Sequence, residues 1–198
     1  KYILFKYMRA ILDDGRIPNR VTESKLGSVD GIGWLFTRVH DMITEFNEQE
    51  LRYIKTELER SMFALLENYS DNGYIVNHPK ETWMDTTGNT YDTRAGIRIE
   101  IQALQLKIYA LHKQLCKLFA DTAGEKMSHQ LEVALRKAVK RDFFDGQKMA
   151  DGKEDFTQRP NVFIAYYLFS ELLTKKEWES VFDNALDELW LEWGGLSS

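Results

Sequence analysis

Two acids bracket an indole in the stretch HPKETWMDTTGN, residues 78–89, where Glu81 and Asp85 stand on either side of Trp83. A carboxyl group held beside an apolar ring loses part of the solvation that favours its charged form, so it can keep a proton near neutrality and act as a general acid. The alternative is structural: an aspartate three residues before Gly88 can cap a turn. Glu81 precedes Asp85 by four positions, but Pro79, Gly88 and Asn89 indicate a loop rather than a helix, so Glu81 is read as a substrate hydrogen-bond acceptor or a solvated acid. A second pair, Asp30 and Trp34, is four apart at a helix start and so lies on one face. An acceptor carboxylate beside a flat indole suits a sugar ring, whose edge carries hydroxyls and whose face is apolar, and the pair equally suits a helix-start acid next to a core tryptophan.

The elements that must hold these residues are helices. The opening KYILFKYMRAIL puts Tyr2, Phe5, Met8 and Leu12 on one stripe. Gly15, Pro18 and Gly27 break the pattern, and Ser28 then caps a helix with Ile32, Leu35, Phe36, Val39, Met42, Ile43 and Phe46 at helical spacing. Asn47 with Glu50 forms a capping box ahead of Leu51, Ile54, Leu58, Met62 and Leu65. A loop from Tyr69 to Ala95 carries the bracketed tryptophan. Ile97, Ile101, Leu104, Ile108, Leu111, Leu115 and Leu118 then mark the clearest core-facing helix, followed by another over about Glu125 to Arg141. DGQKMADGKEDFTQR is a second polar loop, Pro160 suits the first turn of the next helix, and Thr174 to Glu177 boxes a last one holding Trp178, Val181, Phe182, Ala185 and Leu189. Strand alternation is not found. The class is therefore all-α with about seven helices, and the long irregular loops on a helical scaffold are where a site is expected.

Composition narrows the function. The chain has 198 residues, 43% hydrophobic and 29% charged, as in folded proteins, and no run reaches membrane-span length. A formal charge of −5 with scattered Lys and Arg offers no basic stripe for nucleic acid. The single cysteine, Cys116, sits among apolar neighbours, which fits a buried thiol and a reducing, cytoplasmic setting. His40, His78, His112 and His129 are far apart without ligand spacing, so none is assigned to a metal, and no cofactor is expected. Aromatic residues at 13%, with five tryptophans, fit a large core or a sugar-stacking cleft.

Taken in order, DDGRIPN, SVDGIGWLF, ETWMD, RAGIRIEIQAL and DFTQRPN resemble the glucosidase domain of glycogen debranching enzymes and related sugar hydrolases, with TWMD followed by EIQAL the sharpest pair. The resemblance runs from Asp14 to Asn161. It implies an (α/α)6 toroid, a double ring of helices, that hydrolyses an α-glucosidic bond of an α-glucan or oligosaccharide with inversion. Inversion needs one protonated carboxyl at the leaving oxygen and one carboxylate that activates water, roughly 6.5–9.5 Å apart. The resemblance puts the general acid on Asp85, with Trp83 as its apolar wall, and matches Asn19, Glu100, Arg159 and Asn161 to family motif positions. Glu100 could hold a sugar hydroxyl or pair with Arg94 or Arg98; Arg159 could donate to hydroxyls or buttress the acid loop, and Pro160 and Asn161 could simply shape the helix start. Val162 stands where the family commonly has glutamine and Arg98 where it commonly has proline.

Seven helices are fewer than the twelve of a double ring, and the family's base is a glutamate beyond a segment resembling EWGGLSS. The chain, 1–198, is therefore expected to be a single partial catalytic domain, truncated at both ends, whose base lies past Ser198. It is expected to be inactive alone and to self-associate, as a homodimer, through uncovered helix faces. Two other readings stand beside this one: a noncatalytic helical binding module, against which no fixed-period repeat is found, and a sister inverting toroid acting on trehalose or other glucosides.

Overall fold

The computed structural model describes residues 1–20, 27–84 and 94–197. Among these it has seven α-helices: α1 (Tyr2–Met8), α2 (Val29–Asp41), α3 (Glu48–Asn68), α4 (Ile99–Leu118), α5 (Thr122–Phe143), α6 (Asn161–Leu168) and α7 (Lys175–Leu189). Their starts follow local chemistry. Ser28 Oγ accepts from the Gly31 amide at the head of α2, and reciprocal capping boxes, Asn47 with Glu50 and Thr174 with Glu177, open α3 and α7. The α2 periodicity breaks at Asp41, and a 3-10 turn over Ile43–Glu45 takes its last apolar positions.

Helix α4 is the axis of the molecule. It packs against α2, α3, α5 and α6, so it is buried almost all round, from Ile99 and Leu104 to Leu111 and Leu115, rather than on one stripe. The α2–α4 crossing is close because Gly33 has no side chain: a Cβ there would stand 2.6 Å from Leu104 Cβ. Helices α2 and α6 both pack on α4, as do α3 and α5.

Two features depart from the sequence reading. Tyr2 is 76% exposed, so the α1 stripe buries Met8 but not its first aromatic. Two short antiparallel ladders also exist, β1 (Ile17–Pro18) with β2 (Gly27–Ser28) and β3 (Ser70–Asp71) with β4 (Tyr74–Ile75). Pairs of two residues are too short to show alternation, and tertiary bonds sustain them. Gln102 on α4 accepts from the Ile75 amide (2.9 Å) and donates to its carbonyl (2.7 Å), tying β4 to the core.

Candidate active site

The starts of α2, α4 and α6 converge on one loop. Glu81 supplies the backbone link to α2: its carbonyl accepts from the Val29 and Asp30 amides (3.2 and 3.4 Å), two of the donors that a helix start leaves without an internal partner. Ser28 Oγ lies 3.5 Å from the same carbonyl and also donates to the Asp30 carboxylate. Trp83 links the loop to α6, donating from Nε1 to Asn161 Oδ1 (2.8 Å). The neck is closed by Asn77, which exchanges backbone hydrogen bonds with Gly96 (3.0 and 2.8 Å) and donates from Nδ2 to the Arg94 carbonyl (2.7 Å). The loop that leads to Asp85 is thus fastened at three points, while Asp85 itself lies outside the described residues.

Below the loop is a buried ionic cluster. Arg94 donates to Glu100 Oε1 (2.7 Å) and to Asp151 Oδ1 and Oδ2 (both 2.9 Å), and all three side chains are nearly inaccessible. Its backbone has φ +47°, a left-handed conformation that costs a residue with a Cβ, offset here by the paired hydrogen bonds of its guanidinium. Asn161 Nδ2 donates to Asp151 Oδ1 (2.6 Å), so one asparagine couples Trp83 to the cluster. Arg98 reaches Asp155 Oδ2 (2.8 Å) and Asp151 Oδ2 (3.4 Å), and Arg159 Nε lies 3.4 Å from Asp151. Burial pushes the Glu100 carboxyl above its ordinary range, against the pull of Arg94. Burial also works against the Arg94 charge, but Glu100 and Asp151 outweigh it and hold the guanidinium protonated.

A second ionic chain holds the other side. Arg16 binds Asp14 through Nε and Nη2 (3.0 and 2.7 Å) and the Glu81 carboxylate through Nη1, and its guanidinium lies 5.0 Å from the Tyr69 ring centre. Burial would raise the Asp14 carboxyl, yet the Arg16 hydrogen bonds bring it below its ordinary value.

The predicted residues therefore separate by role. Glu81 is buried and ion-paired, not solvated, because Arg16, 65 residues earlier in the chain, folds against it. Glu100 has both oxygens on Arg94, and Asn161 is fully buried between Trp83 and Asp151. Trp83 is 46% exposed although its indole N–H is anchored, leaving ring surface open to solvent. Asn19 and Trp34 line a mainly apolar groove of about 330 Å³ between α1, β1 and α2, in which Ser28 also takes part; Trp34 stacks on Tyr167 at 6.5 Å. Asp30 is buried against Ser28, which joins that groove to the loop. Arg94, Asp151 and Asn77 were not singled out as site residues. Asp151 stands in the second polar loop, and only the fold brings it beneath the first.

A family model described as amylo-alpha-1,6-glucosidase matches residues 1–197. The chain belongs to this family. Comparison with curated proteins returns no significant match. Among solved structures, an alpha-L-rhamnosidase from Dictyoglumus thermophilum is similar with a TM-score of 0.64 at 12% identity, over 94% of this chain and 21% of that one. That likeness, together with the family and the helical architecture, identifies the fold as part of an (α/α)6 toroid. The chain spans about a fifth of the length of that solved glycosidase. Among the described residues no helix is long and apolar enough to cross a membrane.

Proposed function

We propose that this chain contributes the general acid and part of the sugar-binding surface to an inverting hydrolase that cleaves an α-1,6-glucosidic bond in glycogen breakdown, in the cytoplasm. The observation that carries the reading is Trp83: a half-exposed indole fixed by Asn161, two residues before Asp85, in a chain of the amylo-alpha-1,6-glucosidase family. In this reading the indole offers a stacking face for one glucose ring, and its apolar surface keeps the neighbouring Asp85 carboxyl protonated. Asp85 gives that proton to the glycosidic oxygen as the C–O bond breaks. A carboxylate beyond Ser198 removes a proton from the water that attacks the anomeric carbon from the opposite face. In this reading the chain supplies sugar binding and the acid, and turnover depends on that second carboxylate.

Titration with a cationic glucose mimic, read by tryptophan fluorescence, tests the binding half of this proposal. Saturable quenching is expected that Trp83→Ala removes and that the same change at Trp190, an exposed tryptophan at the end of α7, leaves intact. Quenching unaffected by Trp83→Ala places the sugar elsewhere and sinks the reading. Release of glucose from a limit dextrin by the chain alone, abolished in Asp85→Asn, would overturn the missing base.

A further inference from the structure

At the other end of α4, about 20 Å along its axis from the loop at 1.5 Å per residue, four side chains of metal-binding type converge. His112 and Cys116 are one turn apart on the same face of α4, and both are fully buried. Cys116 Sγ lies 3.3 Å from His112 Nε2, and that nitrogen lies 2.9 Å from Glu59 Oε1 on α3. The ligating atoms of Glu59, His112 and Cys116 all fall within 4.8 Å of one another. At the rim, Asp121 Oδ2 lies 3.5 Å from Cys116 Sγ, while Asp121 Oδ1 caps α5 through the Gly124 amide. Gly124 leaves the room for this approach: a Cβ there would meet Asp121 Oδ2 at 2.6 Å and the sulfur at 2.7 Å.

We propose that Glu59, His112 and Cys116 bind a borderline-soft divalent cation of the zinc class, with Asp121 as the fourth ligand. Three arguments converge. Tetrahedral zinc with bonds of about 2.0–2.3 Å separates its ligand atoms by about 3.3–3.8 Å; the Cys116–His112 and Cys116–Asp121 spacings of 3.3 and 3.5 Å lie in that range, and the 2.9 Å His112–Glu59 contact need open only slightly. The other imidazole nitrogen, Nδ1, is hydrogen-bonded to the buried Ser128 hydroxyl on α5, the outer contact that fixes a ligating histidine's ring and tautomer. Charge supplies the third. Lys55 pairs with both Glu59 and Asp121, so with a neutral thiol the cluster carries two carboxylates against one ammonium and keeps a net negative charge. When the cation binds, the Cys116 S–H bond gives way to an S–metal bond and the proton leaves to solvent. Three anionic ligands then face the dication and the Lys55 ammonium, and the sum is zero. Glu59 and Asp121 are part-exposed, with side chains about a third accessible, so an ion can enter from their side. The histidines show no ligand spacing among themselves, because the partner of His112 is a cysteine.

The test uses the reduced, metal-free 198-residue chain titrated with Co²⁺ and then with Zn²⁺ against a chromogenic chelator. One ion per chain, with a thiolate-to-cobalt charge-transfer band in the near ultraviolet, is expected. Cys116→Ser should abolish the band, Ser128→Ala should weaken zinc about 10–100-fold, and Lys55→Met, which removes the competing cation, should tighten it. Absence of the band, or zinc affinity unchanged in Cys116→Ser, would show a hydrogen-bonded cluster only and overturn the proposal. Glu59→Gln, at the accessible rim, gives a second readout should the buried substitution fail to fold: unchanged zinc affinity there overturns the proposal equally.

Discussion

Replacing Arg94 with methionine removes the guanidinium that two buried carboxylates share. Arg94 is 3% exposed, and Glu100 and Asp151 have no comparable access to water, so the variant leaves two acids desolvated and adjacent. Breaking a buried pair from one side costs about 3–5 kcal/mol. At about 2–4 °C per kcal/mol for a chain of this size, the midpoint should fall by about 6–20 °C. The loss should depend on pH with a definite sign. Burial already holds Glu100 above its ordinary range, and without Arg94 it rises further. A carboxyl whose folded pKa is raised favours the folded state when protonated, so its penalty is absent below the unfolded value and grows as pH climbs through the folded one. Thermal and urea unfolding followed by circular dichroism at pH 5 and pH 8 would measure this, and the variant should lose more at pH 8. Adding Glu100→Gln should recover part of the loss, giving a coupling energy between the two sites. A loss below about 1 kcal/mol, or one equal at both pH values, would refute the claim that this cluster holds the loop.

Gly33→Ala should cost about 1–3 kcal/mol, because its Cβ would stand 2.6 Å from Leu104 Cβ and force α2 from α4; an unchanged urea midpoint would contradict that packing. Asn161→Ala frees the Trp83 indole and removes a donor from Asp151, so stability should drop by about 1–3 kcal/mol while sugar affinity falls with it; affinity retained at lower stability would separate Trp83 from binding. Hydrogen bonds from Lys140 and from the Thr174 backbone hold the Glu177 carboxyl at about 2. Its contribution is present above the ordinary carboxylate range and fades as pH falls toward 2, so Glu177→Gln should flatten the acid limb of the stability curve, and an unaltered limb would remove this box from the account.

What could be read in advance was what is local. Ser28, Asn47 with Glu50, and Thr174 with Glu177 bond to amides three residues away, so their helix starts are visible in short windows. The site depends on distant partners. Glu81, read from its own loop as a substrate acceptor or a solvated acid, is buried against Arg16; Asp151, in the second polar loop, lies under Arg94, 57 residues before it. Asn161 reads as shaping the start of a helix, yet its two ends hold Trp83 and Asp151. Gln102 stands within the EIQAL motif without an evident task, and its amide clasps Ile75. The two short ladders escaped notice because four paired residues carry no period. Periodicity also marked α4 as one-sided, whereas four neighbouring helices cover it.

The proton-donor role of Asp85 is tested most directly by leaving-group dependence. In the protein that carries this chain together with its base, Asp85→Asn should lose most of its rate on an α-1,6-linked oligosaccharide, whose departing alkoxide needs a proton. The same variant should keep nearly all of its rate on α-glucosyl fluoride, whose fluoride departs without one. Equal losses on both substrates, or none on either, would contradict the assignment.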